Sequence, residues 1–203
     1  GNRFDIHTGG KEHIPVHHTN EIAQAYGAFG KQTANFWLHN EWLLIDKIKV
    51  SKSLGNIILT TDFIQKGFNP LAFRYLALTS HYKQGLNFSW KSLEASQNAL
   101  NNLLEKVKEF TPTPGGVGAP TPDASGRGVG EINDYQKKFA DYLGDDLNAP
   151  KALALAWNLV KDKKVADKEK YRLLLSFDEV FGFNLAETET EKKQSNRTVK
   201  NRK

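Results

Sequence analysis

The chain has 203 residues, 39% hydrophobic and 25% charged side chains and a formal net charge of +5, a composition typical of an ordered, water-soluble protein rather than a disordered one. No apolar run approaches the about 20 residues that a membrane-spanning helix needs, so no segment is predicted to cross a bilayer and we expect no membrane partner. The absence of cysteine excludes a disulfide scaffold and indicates a reducing compartment, so we expect a cytoplasmic protein.

The first 56 residues favour an α/β arrangement. Runs of aromatic and branched side chains at 35–39 and 42–45 predict strands, and residues 16–29 predict a helix that ends at Gly30. Strand, helix and strand in this order are typical of an α/β domain, here seen in its last portion. The sequence also lacks methionine and opens directly into a dense motif, so we expect a piece of a longer protein.

The rest of the chain is predicted to be largely helical. Asn69 and Pro70 supply a cap and a first helical residue for a helix through Leu78, and Ser89 can cap a longer one. Three further segments repeat apolar residues at helical spacing, and four amphipathic helices in all indicate a bundle. Their apolar positions are Leu93, Leu100, Leu103, Leu104, Val107, Phe110, Ile132, Tyr135, Phe139, Tyr142, Leu153, Trp157, Val160, Tyr171, Leu174, Leu175 and Phe181.

Residues 111–130 differ from their surroundings, with four prolines, six glycines and no large apolar side chain. Such a segment cannot bury enough surface to offset its ordering entropy, so we predict a flexible loop between two bundle helices. Its glycines do not form a phosphate loop, because no strand precedes them and no Lys-Ser or Lys-Thr pair follows.

Residues 46–56 contain two lysines and two serines at close spacing. Lys49 and Lys52 are three residues apart, and Ser51 and Ser53 flank the second lysine. The ammonium groups, the hydroxyls and exposed backbone amides of such a loop can bind a polyphosphate. From these residues by themselves, a basic surface loop without a ligand is the competing interpretation.

A second candidate site lies on the predicted helix upstream. His17 and Glu21 are four residues apart and therefore share one helical face. An imidazole nitrogen and a carboxylate on one face can supply half of a zinc site. A capping or salt-bridged pair is the alternative that these two residues leave open.

The order of these motifs resembles a known family. Residues 49–53 (Lys-Val-Ser-Lys-Ser) resemble the Lys-Met-Ser-Lys-Ser signature of class I aminoacyl-tRNA synthetases, with Val50 in place of methionine. Residues 5–10 and 17–24 resemble cysteinyl-tRNA synthetases in particular. Further similar segments follow in that family's order at 37–40, 80–82, 145–153 and 177–182.

The resemblance implies a fold of α/β plus α class. It implies the C-terminal part of a Rossmann-like catalytic domain, then a helical stem-contact region, then a helix bundle. The family's cysteines and its His-Ile-Gly-His-type loop would lie upstream, so we expect this chain by itself to be inactive. The implied boundaries are 1–56 for the catalytic part with the lysine-serine loop, 57–90 for the stem-contact region, 91–185 for the bundle with its loop at 111–130, and 186–203 for a basic tail.

The resemblance also implies a reaction, the ATP-dependent activation of cysteine and its transfer to tRNA(Cys), with Mg²⁺ accompanying ATP. Lys52 matches the main contact to the leaving pyrophosphate and Lys49 its helper, while Ser51 and Ser53 line the same nucleotide site. The implied partners are tRNA(Cys), cysteine and ATP, and the full-length form is expected to be a monomer.

Other positions match the family's metal and adenosine sites. His17 and Glu21 match two of four Zn²⁺ ligands, the other two being upstream cysteines, and the zinc would bind the substrate thiolate. Gly9 and Gly10 match a glycine-rich turn where the backbone approaches adenosine. Glu12 stands where the family usually has an aspartate that bonds ribose hydroxyls, and His7 and His39 are candidates for lining the pocket.

Two alternative functions remain open. One is a cysteine ligase of mycothiol biosynthesis, which shares the scaffold; the uninterrupted run at 19–24 favours the synthetase instead. The other is a non-catalytic paralogue that binds tRNA, against which the intact lysines and the His17–Glu21 pair argue.

Overall fold

Two parallel strands and the helix between them form the amino-terminal part of the molecule. β1 (Phe4–Gly10) pairs with β2 (Ala34–Asn40) over its whole length, from Phe4 opposite Ala34 to Gly10 opposite Asn40. The computed structural model describes residues 3–50, 55, 57–112 and 129–186. None of the helices in these ranges is both long and apolar enough to cross a membrane.

The crossover from β1 to β2 changes its helical form along its length. A 3₁₀ turn (Lys11–His13) leads into a π-helical turn (Ile14–His18), and α1 (Thr19–Phe29) follows. Gly30 ends α1 in the left-handed conformation, with φ of 67°, as predicted. The predicted helix over 16–29 is thus confirmed, with a wider first turn.

A second, three-stranded sheet follows. β3 (Leu43–Ile45) pairs antiparallel with β4 (Ile48–Lys49) and parallel with β5 (Leu86–Phe88), which confirms the predicted strand at 42–45. The two residues between β3 and β4, Asp46 and Lys47, both have positive φ, as the two-residue hairpin turn of type I′ requires. Lys49 therefore lies in a short strand rather than in a free loop.

Six helices make up the rest of the described chain. The Asn69 side chain accepts a hydrogen bond from the Leu71 amide, and the Ser89 hydroxyl accepts one from the Ser92 amide, so both predicted caps are confirmed. Gly130 lies inside the helix Val129–Gly144, so the loop predicted over 111–130 is wrong at its last two residues; residues 113–128 lie outside the described residues. The six helices are α2 (Thr60–Gln65), α3 (Pro70–Leu78), α4 (Trp90–Phe110), α5 (Val129–Gly144), α6 (Ala149–Lys161) and α7 (Asp167–Phe181).

Two apolar clusters hold these elements together. The larger one fills the bundle of α3 to α7, and the predicted apolar stripes of α4 to α7 contribute to it. The smaller one, built around Phe63, Phe88 and Leu93, packs β5 against α2, α3 and α4. Because α3 and α4 contribute to both clusters, the sheet that contains Lys49 is fixed to the bundle.

A polar contact joins the end of β2 to the bundle. The Glu41 amide donates to the Tyr82 carbonyl, and the Tyr82 hydroxyl donates to Asp146 Oδ1 at 2.5 Å. Lys83 Nζ lies 2.6 Å from the other Asp146 oxygen. The similar segments at 80–82 and 145–153 therefore meet in space.

Candidate functional site

Five of the six histidines gather where β1, the π-helical turn and β2 meet. The Glu21 carboxylate lies among them: His17 Nε2 is 3.1 Å from one oxygen and His7 Nε2 is 2.9 Å from the other. His17 and Glu21 share a face, as the four-residue spacing predicts. His7, predicted only as a pocket residue, contacts the same carboxylate.

His18 occupies the interior of this cluster. Its ring is 4% exposed, and its Nδ1 lies 2.8 Å from His39 Nε2. Burial lowers the pKa of His18 most, and the neighbouring His7 and His39 lower it further, so the ring is neutral near pH 7. Neutral imidazole is the form that binds metal ions.

The donor atoms of the cluster suit a metal ion. Ligand atoms of His7, His18 and Glu21 all lie within 4.8 Å of one another, and His17 reaches the same carboxylate. Imidazole nitrogen and carboxylate oxygen both bind zinc at about 2.0–2.2 Å, so the donor set fits zinc. The residues present offer two combinations, His17 with Glu21 or His7 and His18 with Glu21.

Gly9 and Gly10 end strand β1 and do not form a turn, which corrects the prediction. Both residues pair with β2, opposite His39 and Asn40, and Gly10 has extended backbone angles. A Cβ on Gly9 would lie 2.6 Å from Cε1 of the His18 ring, and one on Gly10 would overlap the Glu12 carboxylate. Glycine is needed here for close approach, because side chains of the chain itself pack against the strand.

A second group of polar contacts lies just beyond the ends of both strands. Trp42 Nε1 donates to Glu12 Oε2 at 2.6 Å, and Lys49 Nζ lies 3.6 Å from the centroid of the Trp42 ring. Lys11 forms an ion pair with Glu41 at 2.5 Å. Through Trp42, Lys49 lies near Glu12, the residue whose position the resemblance assigns to the ribose hydroxyls.

An open cavity of about 510 Å³ lies at the carboxyl end of β2. Ligands of α/β proteins bind beyond the carboxyl ends of parallel strands. The Trp37 indole nitrogen is buried in this region and has no hydrogen-bond partner among the described residues. The cavity is lined by Lys11, Ile14, Phe36, Trp37, Leu38, His39, Asn40, Glu41, Tyr82, Lys83 and Asp146.

The predicted site residues fall into two groups. His17, Glu21, Lys49, Gly9 and Gly10 are described, and they lie near the carboxyl ends of β1 and β2 or on the crossover that follows β1. The second lysine and both serines lie outside the described residues, and their roles stay predictions. They concern Ser51, Lys52 and Ser53.

Sequence reasoning missed two residues of the site. The helical spacing selects His17 and not its neighbour His18, although the adjacent pair of histidines is itself a signal. The sequence predicts only a strand position for Trp42, because its contacts with Glu12 and Lys49 join distant residues and leave no local pattern.

Comparison with known proteins matches this chain to one family of catalytic domains and to cysteine–tRNA ligases. Residues 1–98 match the family described as tRNA synthetases class I (C) catalytic domain. The chain is 38% identical over 198 residues to the cysteine–tRNA ligase of Treponema denticola, and the match covers 92% of this chain and 40% of the relative. It is 41% identical over 188 residues to cysteine–tRNA ligase 1 of Burkholderia lata, covering 92% of this chain and 37% of the relative.

Solved structures agree on the fold. A LeuRS of Agrobacterium radiobacter K84, in a ternary complex with tRNA and LeuAMS, aligns with a TM-score of 0.60 at 16% identity, over 88% of this chain and 26% of that one. Methionyl-tRNA synthetase of Mycobacterium tuberculosis, bound by methionyl-adenylate, aligns with a TM-score of 0.53 at 19% identity, over 85% of this chain and 38% of that one. The predicted mixed α/β and α class is confirmed. The chain spans about two fifths of the length of the cysteine–tRNA ligases it matches.

Proposed function

We propose that this chain is part of a cysteine–tRNA ligase, because residues 1–98 match the class I tRNA synthetase catalytic domain and cysteine–tRNA ligases are similar to it along nine tenths of its length. The whole protein would activate cysteine with ATP and transfer it to tRNA(Cys). The observation that supports this most is the Glu21 carboxylate held between His7 and His17. A substrate distinguished by its thiol calls for a metal site of this kind, because sulfur binds zinc strongly and a hydroxyl does not.

We propose His17 and Glu21 as two zinc ligands, with the other two supplied by cysteines outside this chain. The bound zinc would hold the substrate thiolate. His7 then keeps a separate role, since its Nε2 contacts the second oxygen of Glu21 and can fix the orientation of that carboxylate. The buried His18 ring packs against the rings of both His7 and His17, at centroid distances of 4.7 Å and 5.5 Å.

Lys49 and Lys52 are proposed to stabilise the negative charge that develops on pyrophosphate as it leaves. Positioned cations do this by electrostatics and require no covalent chemistry. The pairing of Lys49 with Leu44 in the β3–β4 hairpin, which restrains its backbone, supports this role. Ser51 and Ser53 are proposed to add hydroxyl donors to the same nucleotide, with Gly9 and Gly10 near the adenosine.

The finer domain division also belongs to this proposal. The order of elements fits four parts: a Rossmann-like catalytic part over 1–56, a stem-contact region over 57–90, a bundle over 91–185 and a basic tail over 186–203. Basic residues of the bundle are proposed to contact tRNA phosphates rather than bases.

Exchange of labelled pyrophosphate into ATP tests this function. We expect cysteine-dependent exchange and charging of tRNA(Cys) by the full-length protein, no exchange with serine, and none by this chain alone. Transfer of cysteine to an amino-sugar amine without charging of tRNA would identify a mycothiol-type ligase. Binding of tRNA without any exchange would identify the non-catalytic paralogue.

Removing the His17 imidazole is expected to lower zinc affinity by more than about tenfold and to weaken cysteine binding, because a direct ligand matters at least as much as the groups that orient it. Zinc content of the full-length His17→Ala protein after dialysis, measured by mass spectrometry, gives the result. His81→Ala is the control, because His81 contacts Asp146 at 3.8 Å and lies outside the cluster. Retention of zinc by His17→Ala and its loss from His7→Ala would instead assign the metal to His7, His18 and Glu21.

A further inference from the structure

We propose that Trp42 is a positioning residue of the nucleotide site, which holds the Glu12 carboxylate with its indole N–H and the Lys49 ammonium on its ring face. The inference rests on the proposed function, since it requires ATP to bind beside these two groups. No helical or strand periodicity connects the three residues, which come together only in the folded chain.

The hydrogen bond from Trp42 to Glu12 fixes a carboxylate that is otherwise exposed. The donor and acceptor are 2.6 Å apart and thirty positions apart in sequence. This bond is the main reason that the pKa of Glu12 lies below its usual value, so the group stays ionised near pH 7. An ionised carboxylate accepts hydrogen bonds at both oxygens, and the oxygen that Trp42 leaves open can accept from the hydroxyls of a ribose.

The ring face of Trp42 fixes the second charge. Lys49 Nζ lies 3.6 Å from the ring centroid, well inside the distance at which an ammonium and an indole attract each other. The backbone of Lys49 is set independently, because Lys49 pairs with Leu44 in the β3–β4 hairpin. Backbone and side chain are thus both restrained before any phosphate binds, which lowers the entropy lost on binding.

Contacts of both its backbone amide and its ring hold Trp42 in place. Its amide donates to Glu41 Oε1 at 3.1 Å, and Glu41 forms an ion pair with Lys11. Lys11 Nζ also lies 5.4 Å from the Trp42 ring. One indole therefore contacts both an acceptor suited to ribose hydroxyls and a cation suited to phosphate, and a nucleoside triphosphate carries both of these groups.

Two substitutions separate the two contacts. Trp42→Phe removes the N–H and keeps an aromatic face, so we expect the KM for ATP in exchange to rise about 3- to 10-fold with kcat within about twofold. Trp42→Leu removes both contacts, so we expect the same rise in KM and a further fall in kcat of about 2- to 5-fold. All variants are made in the full-length protein.

A double-mutant cycle shows whether Trp42 acts through Glu12. In a Glu12→Ala background, Trp42→Phe is expected to change KM by less than about 1.5-fold, because the partner of the N–H is already gone. Trp90→Phe is the matched control and is expected to leave both constants unchanged. Trp90 also has a lysine over its ring, Lys66 at 4.8 Å, but it packs in the smaller apolar cluster away from the site.

The outcomes separate this inference from the function it rests on. No cysteine-dependent exchange by the wild-type protein overturns both. Wild-type exchange with additive effects of Trp42→Phe and Glu12→Ala, or with an unchanged KM, overturns the role of Trp42 alone. Should Trp42→Leu fail to fold, the cycle with Trp42→Phe decides the matter.

Discussion

Replacing Lys52 by alanine is expected to lower ATP–pyrophosphate exchange by the full-length enzyme about 10²- to 10³-fold, the loss typical of removing one group that stabilises developing charge. The departing pyrophosphate gains negative charge in the transition state, and Lys52 is the proposed main contact to it. Zinc content should stay at the wild-type level, because the histidine cluster lies on β1, β2 and their crossover. Lys49→Ala should lower the exchange rate less than Lys52→Ala does, because Lys49 is proposed as the secondary contact to pyrophosphate.

Lys47→Gln is the matched control for this prediction. Lys47 carries the same charge a few residues upstream, and its backbone forms the β3–β4 turn, with the amide donating to Asn87 Oδ1. Lys47→Gln removes a charge but not the proposed contact to pyrophosphate. We therefore expect an exchange rate within about twofold of the wild-type rate, as is usual for one exposed and screened charge. Equal losses in Lys47→Gln and Lys52→Ala would mean that general positive charge matters, and wild-type exchange by Lys52→Ala would remove the lysine loop from the mechanism.

The helices could be predicted because their signals are local. Asn69 and Ser89 cap the helices that follow them, and the apolar spacing of α4 to α7 places their stripes in the core. β1 has no comparable local signal, because Asp5 and His7 interrupt any apolar run and Gly9 has low strand propensity. Its strand conformation depends on pairing with β2, which lies well downstream in the sequence.

The same distinction applies to the site. His17 and Glu21 are brought together by one helical turn, so their spacing was sufficient to pair them. His7 joins them from β1, and Trp42 reaches Glu12 from beyond β2. Such contacts depend on the register of the parallel strands, which no stretch of sequence specifies by itself.

Truncating Phe177 to alanine is expected to destabilise the bundle by about 3–5 kcal/mol. Phe177 is 1% exposed, and its ring stacks on Phe139 with centroids 4.0 Å apart and an interplanar angle of 6°. The substitution removes a buried aromatic ring and leaves a cavity that the surrounding helices can fill only in part. Urea denaturation of the chain, followed by circular dichroism, measures the loss as a lower midpoint at an unchanged slope.

Val180→Ala on the same helix is the control for helix propensity. Val180 is 50% exposed, so its truncation should change the free energy of unfolding by no more than about 0.5 kcal/mol. A Phe177→Ala protein as stable as the Val180→Ala protein would show that α7 does not pack as described. The larger cluster would then not be the main source of stability, and the sheet that contains Lys49 would be fixed to the bundle chiefly by the smaller cluster around Phe63 and Phe88.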